Sequence, residues 1–290
     1  MRYNTPPVFR FAPSPNGALH LGHAYSALIN QHMAHEARGK LLLRIEDIDR
    51  QRCTPQLETN MIEDLQWLGI SWEMPPRRQS DHFDDYRQAL DELQAMGLIY
   101  PSFMSRGEIR ATVADKKNWL HDPDGSPHYP GDERNWNDKQ RRTKTTEFPQ
   151  HSLRLNMSAA MELMKQPLHW EETGKGPNGE TGRCNANPAA WGDPVIARSD
   201  TPTSYHISVV VDDEKQAVTH VVRGQDLFHA TSLHRLLQTL LNLKAPIYHH
   251  HELVLDETGR KLSKSADDTS LRALRDSGKS PKELKQMIGF

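Results

Sequence analysis

The chain of 290 residues is long enough for one large domain or two ordinary ones, and its 36% hydrophobic and 26% charged residues exclude wholesale disorder. It has no run of about 20 apolar residues that would span a membrane, and its net charge of −2 gives no overall positive field to attract nucleic acid, although a local basic patch can have that effect. Two distant cysteines, Cys53 and Cys184, and an N-terminus without the apolar core of a signal peptide predict a reducing, cytoplasmic location.

The first predicted elements form a strand, a helix and a second strand. Val8–Phe11 is short and apolar and is followed by two prolines, which is typical of a strand that leaves a sheet into a loop. A helical apolar pattern begins at Gly22, and Gly39 is a natural stop signal. The next run, LLLRI, predicts a buried strand that ends in the acidic stretch EDID. This order of elements predicts a parallel sheet with a right-handed crossover.

Two more helices follow. Thr54 and Pro55 form a helix-start signal, with the threonine as the cap and the proline in the first turn, and Gly69 ends that helix. A further helix is predicted from near Ser80 to Gly97, after which LIY is expected to return to the sheet. These elements complete the first half of an α/β domain.

The second half of the chain changes character and then recovers an α/β pattern. Residues 102–192 are rich in turn signals and predict an inserted module with short strands. YHISVVVDD, which ends at Asp212 and Asp213, and AVTHVVRG are expected to be strands. A helix follows, with one apolar face that carries Leu233, Leu236, Leu237 and Leu240. A loop rich in glycine and lysine and two short helices end the chain.

The stretch FAPSPNGALHLGHA brings two histidines to the start of a helix. Backbone N–H groups at a helix N-terminus, together with the helix dipole, favour a phosphate there. His20 and His23 could donate to the same anion and stabilise charge that develops at phosphorus. Taken alone, the motif favours the plainer interpretation, a turn whose histidines only cap or pack.

A second motif, GRKLSKS, places two lysines three residues apart in a flexible loop. Lysine is a mobile point charge, suited to a pyrophosphate leaving group, although such a loop can also be simple solvated surface.

The two motifs together resemble the signatures of the class I aminoacyl-tRNA synthetases, here His20-Leu21-Gly22-His23 and Lys261-Leu262-Ser263-Lys264-Ser265. RFAPSPNGALHLGHA, LLRIEDIDRQR, YHISVVVDD and HVVRGQDL are similar, in the same order, to glutamyl-tRNA synthetase signatures. The resemblance implies an α/β fold: a Rossmann-like parallel sheet with an inserted α/β acceptor-like module and a short C-terminal helical segment. It divides the chain into residues 1–101, the first half of the nucleotide-binding domain; 102–192, the module; 193–255, the second half; and 256–290, the lysine loop and helical tail.

The resemblance also implies a role for each matching residue. The catalytic residues would be His20, His23, Lys261 and Lys264. ATP would be bound by those four residues with Gly22 and Ser263, and magnesium would neutralise its phosphates. L-Glutamate would be selected by Arg10, Ser14, Glu46, Tyr205 and Arg223, where the arginines pair with a carboxylate and the glutamate recognises the ammonium group.

Within this group, the short outline resembles the glutamyl-Q tRNA(Asp) synthetase family. The chain ends soon after Ser265 and leaves no room for a helical anticodon-binding domain. The resemblance implies ligase activity that forms glutamyl-adenylate from ATP and transfers glutamate to queuosine in the anticodon of tRNA(Asp), by a monomer with no membrane partner.

The sequence departs from that family at a zinc site. Ser102, Met104 and Glu133 stand where the family often has cysteines, and Tyr129 is retained. Such a set offers no useful tetrahedral zinc site, so no zinc is expected. The HHH tract at 249–251 also lacks acidic or cysteine partners at ligand spacing.

The RNA acceptor stays open from the residues themselves. KQRRTK, with Trp136 nearby, offers phosphate contacts and a stacking surface, although a charged solvent loop is the plainer interpretation. The alternatives are a short glutamyl-tRNA synthetase that charges a tRNA 3′ end, a non-catalytic synthetase-like RNA-binding protein, and a nucleotidyltransferase acting on a small molecule.

Overall fold

The computed structural model describes residues 6–255 and 270–290. The described strands are β1 (Val8–Phe11), β2 (Lys40–Ile45), β3 (Glu73–Arg78), β4 (Ile99–Ser102), β5 (Ser152–Leu155), β6 (His169–Glu172), β7 (Gly182–Asn185), β8 (Val195–Ala197), β9 (His220–Gly224) and β10 (Ile247–His251). The described helices are α1 (Leu21–Glu36), α2 (Pro55–Trp67), α3 (Phe83–Ala95), α4 (Arg106–Val113), α5 (Asp138–Glu147), α6 (Met157–Glu162), α7 (Tyr205–Lys215), α8 (Ala230–Leu240), α9 (Leu271–Asp276) and α10 (Pro281–Met287).

Seven of the described strands form the main sheet, in the order β3-β2-β1-β9-β10-β6-β7. All neighbours are parallel except β6 and β7, which form an antiparallel pair at one edge. The predicted β1–α1–β2 unit is confirmed, with Val8 beside Lys40 and Phe11 beside Leu43. An α/β fold with a parallel sheet is therefore confirmed, and the carboxyl ends of β1, β2, β9 and β10 share one edge.

The glycine that follows α1 works differently from the prediction. The positive φ after this helix belongs to Arg38, at 50°, rather than to Gly39. A Cβ at Gly39 would run into the backbone carbonyl of Pro7. Arg38 adopts the left-handed conformation that usually favours glycine, so Gly39 is needed for another reason: it allows the chain after α1 to approach the backbone of Pro7 closely.

The signals for α2 and α3 are confirmed. Thr54 Oγ1 accepts a hydrogen bond from the Leu57 N–H at 3.3 Å, and Gly69 and Gly97 have φ of +83° and +72° after their helices. The start of α3 is later than predicted, because Ser80 lies in a short 3-10 turn and the α-helix begins at Phe83. The apolar face predicted for α8 is buried, and α9 and α10 are the two expected C-terminal helices.

Two predicted strands were wrong in type or in partner. YHISVVVDD forms helix α7 and not a strand. The prediction failed because residues 207–213 are all buried, so the run has no polar face that would reveal a helical period. The strand that begins within LIY, β4, pairs with β5 in a separate antiparallel sheet of order β4-β5-β8. An apolar run indicates that a strand is buried, but it does not indicate to which sheet the strand belongs.

Strands β6 and β7 lie within the 102–192 range yet extend the main sheet. Tyr248 of β10 pairs with Glu172 at the end of β6. This pairing brings a carboxylate from that range against β10. In the described ranges, no helix is long and apolar enough to cross a membrane.

Candidate active site

A cavity of about 580 Å³ opens at the carboxyl edge of the main sheet, where ligands bind in open α/β sheets. Its walls come from the ends of β1, β9 and β10, the loop after β2 and the first residues of α1 and α7. Every predicted site residue in the described ranges borders it: Arg10, Ser14, His20, Gly22, His23, Glu46, Tyr205 and Arg223. These residues, some of which lie more than two hundred positions apart in the sequence, were predicted to share one site, and they border one cavity in the structure.

The two motif histidines cap α1 with one side of their rings. His20 Nδ1 accepts from the Gly22 N–H at 3.1 Å, and His23 Nδ1 accepts from the His20 N–H at 3.2 Å. Because Nδ1 is the acceptor in both neutral rings, the ring N–H of each lies at Nε2. Capping and anion binding are therefore compatible, since they use different nitrogens of the same side chains.

Lys261, Ser263 and Lys264 lie outside the described residues, so their place at the phosphates stays a prediction. The residues on either side of that segment are described. Val254 borders the cavity, and Ser270 forms an antiparallel bridge with His20. The Leu271 N–H also donates to the Leu19 carbonyl at 2.8 Å. One flank of the lysine motif therefore borders the cavity, and the other lies beside His20.

Arg10 presents an unengaged guanidinium edge at the end of β1. Within the described ranges, its one hydrogen bond runs from Nε to Asp213 Oδ1 at 3.1 Å. Both side chains are nearly buried, at 5% and 6% exposed. The terminal nitrogens of Arg10 are thus held in a fixed orientation at the wall of the cavity, which suits bidentate binding of a carboxylate.

Arg44 is a buried arginine behind the cavity wall that the sequence analysis missed. Its side chain is fully buried in β2 and lies 2.7 Å from Asp213, 3.3 Å from Glu46 and 3.8 Å from Asp212. Burial lowers the pKa of Arg44, but the three carboxylates outweigh it and raise the pKa above its ordinary value. The available signal was an arginine within the apolar run LLLRI.

Asp212 and Asp213 act behind the cavity wall. Burial raises the pKa of Asp213, but Arg10 and Arg44 lower it more, so the net pKa lies below its usual range. Asp212 accepts hydrogen bonds from Arg77 Nε at 2.7 Å and from Gln79 Nε2 at 2.8 Å. Since neither aspartate borders the cavity, both orient neighbouring groups.

Glu46 is a carboxylate at the cavity wall. Its Oε1 accepts from Arg44 Nε and Nη2, both at 3.3 Å. Burial, together with Asp212 and Asp213, raises the pKa of Glu46, against the lowering effect of Arg44 and Arg10. A cationic group placed in the cavity would stabilise the ionised form of Glu46.

Arg223, at the end of β9, is held on every side. All five N–H groups of its guanidinium have acceptors at 2.7–3.3 Å: Thr231 Oγ1, Leu227 O, His250 Nε2, Tyr205 Oη and His234 Nδ1. Because the Tyr205 oxygen accepts from Arg223, its own O–H is left to donate toward the cavity. The guanidinium with an edge that makes no hydrogen bond in the described ranges is therefore that of Arg10, whereas Arg223 contacts the Tyr205 hydroxyl beside the cavity.

The residues at the former zinc positions form a compact polar cluster. Tyr129 Oη donates to Glu133 Oε1 at 2.7 Å, and Ser102 Oγ accepts from Arg154 Nε at 3.2 Å. The Arg154 guanidinium lies 4.1 Å from the centre of the Tyr129 ring, and Met104 packs against the same ring cluster. In the part of the chain that the structure describes, no group of three or more histidine, cysteine or acidic residues could hold a metal ion.

The HHH tract is divided by the alternation of β10. His249 Nδ1 lies 3.1 Å from Thr173 Oγ1, whereas His250 faces the opposite side and lies 2.6 Å from Glu172. His251 borders the cavity. The three imidazoles thus lie in three different environments.

Comparison with known proteins agrees with this geometry. The sequence model of the family described as tRNA synthetases class I (E and Q), catalytic domain, matches residues 8–289. The chain is 45% identical to a glutamyl-Q tRNA(Asp) synthetase of Rhodobacter capsulatus, over 98% of this chain and 100% of that protein. It is 37% identical to one of Symbiobacterium thermophilum, over 97% of this chain and 85% of that protein.

Among solved structures, a glutamate-tRNA synthetase from Elizabethkingia anophelis superposes with a TM-score of 0.78 at 24% identity. The match covers 98% of this chain and 61% of that chain, so this chain spans about three-fifths of the solved protein. The fold and the matched range define a class I aminoacyl-tRNA synthetase catalytic domain. The chain belongs to the class I (E and Q) tRNA synthetases and, within them, to the family of the glutamyl-Q tRNA(Asp) synthetases.

Proposed function

We propose that this protein activates L-glutamate with ATP and transfers the glutamyl group to queuosine in the anticodon of tRNA(Asp). The observation that carries the proposal is the convergence of all eight described site residues on one cavity. The full-length relatives named for this activity support the choice of acceptor.

Glutamate is bound by a cationic group at its side-chain carboxylate and by an anionic group at its ammonium group. The side-chain carboxylate pairs with the terminal nitrogens of Arg10 and accepts from Tyr205, whose oxygen is oriented by Arg223. The ammonium group pairs with Glu46, and Ser14 adds a hydroxyl contact. This arrangement leaves the α-carboxylate directed toward the nucleotide.

Activation is an in-line displacement at the α-phosphorus of ATP. An α-carboxylate oxygen forms a bond to phosphorus, the bond from that phosphorus to the bridging oxygen of the β-phosphate breaks, and pyrophosphate leaves with the electron pair. The Nε2–H groups of His20 and His23 stabilise the charge on the equatorial oxygens, and the backbone at Gly22 admits the phosphate to the helix N-terminus. Lys261 and Lys264, with Ser263, follow the leaving pyrophosphate.

Magnesium fits this site through the substrate rather than through a protein cage. The described residues offer no cluster of three acidic or histidine ligands. Magnesium is commonly held by substrate phosphates and few protein ligands, and it supplies charge neutralisation when bound.

The RNA partner is proposed to dock on α5 and the aromatic cluster next to it. None of the residues of α5 is buried, and the helix carries four basic side chains: Lys139, Arg141, Arg142 and Lys144. The Phe103 ring stacks on Trp136, with ring centres 6.0 Å apart, and lies 5.7 Å from His151. Lys139 and Arg142 are exposed, and such cations beside an aromatic platform match the phosphates and unstacked bases of an RNA loop. We assign this role to the 102–192 module.

The test has two parts. Glutamate-dependent ATP–pyrophosphate exchange is measured with glutamate, glutamine and aspartate, with and without tRNA. Transfer is then measured with labelled glutamate and tRNA from cells that make queuosine or lack it, and nuclease mapping locates the label. Label in the anticodon fragment of queuosine-containing tRNA is the expected result; label on the 3′-terminal adenosine would assign a tRNA-charging enzyme instead.

A variant checks the amino-acid pocket. Arg223→Ala should abolish selection of glutamate while ATP binding is retained, because the guanidinium orients Tyr205, whereas Nδ1 of His20 and of His23 accept from the backbone at the start of α1. Adenylation of glutamate at the wild-type rate by this variant would overturn the pocket assignment.

A further inference from the structure

Glu172 and His250 form a buried pair behind the amino-acid pocket; the sequence analysis did not single out Glu172 and noted His250 only as part of the HHH tract. Both side chains have no exposed surface, and the Glu172 carboxylate lies 2.6 Å from His250 Nδ1. His250 Nε2 in turn lies 3.1 Å from Arg223 Nε. The three side chains form a continuous line from β6 through β10 to β9.

We propose that Glu172 and His250 are positioning residues: Glu172 fixes the tautomer of His250, and His250 thereby fixes the Arg223 guanidinium for recognition of an acidic side chain. The proposal deepens the proposed function and rests on it for the identity of the amino acid. The geometry of the pair itself can be measured independently of any activity.

The first step is the state of Glu172, which only accepts. Oε1 accepts from the backbone N–H groups of His250 and Gly174, at 2.8 and 2.9 Å. Oε2 accepts from His250 Nδ1 and from Trp170 Nε1, at 2.6 and 3.2 Å. Burial raises the pKa of Glu172, but the hydrogen bonds from the side chain and backbone of His250 and from the backbone of Gly174 outweigh burial and lower the pKa to about 2. Four donors aimed at two oxygens require an ionised carboxylate.

The second step is the tautomer of His250. Burial lowers the pKa of His250 to about 4, despite the opposing effect of Glu172, so the ring is neutral near neutral pH. A neutral imidazole carries one proton, and the Glu172 contact places it on Nδ1. Nε2 is then a lone-pair acceptor, which is what the permanently charged Arg223 Nε–H requires. The opposite tautomer would set two N–H donors against each other.

The third step is what the arrangement does to Arg223. His250 at Nε and His234 at Nη1 fix two directions in the plane of the guanidinium, at 3.1 and 3.3 Å. Nη1 also donates to Tyr205 Oη, the group that faces the cavity. A change of His250 therefore rotates the guanidinium and alters the hydroxyl that meets the substrate carboxylate.

The close approach that makes this pair possible is encoded by a glycine. A Cβ at Gly174 would collide with the backbone of His250. The turn after β6 can therefore lie directly against β10, which brings the Glu172 carboxylate within reach of the imidazole.

Three variants test the proposal. His250→Phe keeps a ring but removes both nitrogens, His250→Gln can restore an oxygen acceptor near the position of Nε2, and Glu172→Gln replaces the obligate acceptor. His249→Phe, on the opposite face of the same strand, is the matched control. KM for glutamate and for ATP and kcat are measured by pyrophosphate exchange, with thermal unfolding measured in parallel.

The expected result is a selective change in glutamate recognition. His250→Phe and Glu172→Gln should raise KM for glutamate by about 10- to 100-fold, the range for one hydrogen bond to a charged group. KM for ATP should change less than about threefold, His250→Gln should recover part of the loss, and His249→Phe should behave as wild type. Equal losses in both KM values, or no change in either, would overturn the positioning role.

A spectroscopic measurement needs no turnover. In protein labelled with ¹⁵N-histidine, the wild-type His250 signals should show the Nδ1–H tautomer, identified by their loss in His250→Phe or, if that variant does not fold, in His250→Gln. In Glu172→Gln the amide N–H₂ must face His250 Nδ1 once its oxygen accepts the two backbone N–H groups, so the tautomer should switch to Nε2–H. An Nε2–H tautomer in the wild type would refute the proposal. Wild-type protein with the Nδ1–H tautomer but without glutamate-dependent exchange would refute the proposed function alone.

Discussion

Arg44 Nη1 and Asp213 Oδ1 lie 2.7 Å apart inside the protein, and the same carboxylate oxygen accepts from Arg10 Nε at 3.1 Å. One buried aspartate thus orients a structural arginine and the arginine at the cavity wall. Asp213 therefore contributes both to the burial of Arg44 in the core and to the orientation of Arg10 at the cavity wall.

Asp213→Asn should therefore damage stability and recognition together. It leaves the fully buried Arg44 with weakened compensation, and we expect a loss of about 3 kcal/mol in the free energy of unfolding and a raised KM for glutamate. Chemical denaturation and exchange kinetics measure the two effects. Asp200→Asn is the matched control, because Asp200 is 47% exposed and pairs with Arg198 at the surface. Similar losses in both variants would contradict the role given to Asp213.

The double use of His20 can be separated by substitution. Asparagine is a good N-cap, so His20→Asn should keep the stability of the wild type, whereas His20→Ala should lose about 1 kcal/mol. Both should lower kcat for pyrophosphate exchange by about 10²- to 10³-fold, because both lose the Nε2–H donor. Thr54→Ala, at the cap of α2, should lose stability alone. Full exchange activity in His20→Asn would show that His20 acts only as the N-cap of α1.

Glu46 predicts a defined pH dependence of glutamate binding. Its pKa is raised in the free protein by burial first. As the pH falls through that raised pKa, Glu46 gains a proton, loses its charge and no longer holds the ammonium group, so KM for glutamate should rise. Binding favours the ionised form and should release a proton, which calorimetry detects as a binding enthalpy that varies with the ionisation enthalpy of the buffer. Glu46→Gln should bind weakly with no such variation.

The cluster at the former zinc positions predicts indifference to chelators. Treatment with a strong zinc chelator should leave the melting temperature and the exchange rate unchanged. Tyr129→Phe, by contrast, leaves the buried Glu133 without its 2.7 Å donor and should cost about 1–3 kcal/mol of stability. A chelator-induced drop in melting temperature would show that a metal is present after all.

The surface of α5 should carry a salt-sensitive part of RNA binding. A double reversal, Lys139→Glu with Arg142→Glu, should weaken binding of tRNA and flatten the plot of log affinity against log salt by about one to two units of slope. Glutamate-dependent pyrophosphate exchange without tRNA should not change. Arg87→Glu, an exposed residue on α3, is the control. Unaltered tRNA affinity in the double variant would place the RNA elsewhere.

The sequence was most informative where chemistry and local geometry coincide. The N-cap of α2, the β1–α1–β2 unit and the eight described cavity residues could be predicted, because capping residues, apolar periods and catalytic motifs are local patterns. Buried relationships were missed: α7 was taken for a strand because it lacks a polar face, and β4 was assigned to the wrong sheet. Arg44 and Glu172 were overlooked, and His250 was noted only as part of the HHH tract, because the roles of all three depend on partners distant in sequence.

The antiparallel hairpin of β6 and β7 makes the 102–192 segment inseparable from the rest of the molecule. A shortened version that excised this range to leave a minimal catalytic unit would strip two strands from the main sheet and bare the edge of β10. A foreign RNA-binding segment should therefore be inserted outside residues 169–185, so that the β6–β7 hairpin and its turn against His250 are kept.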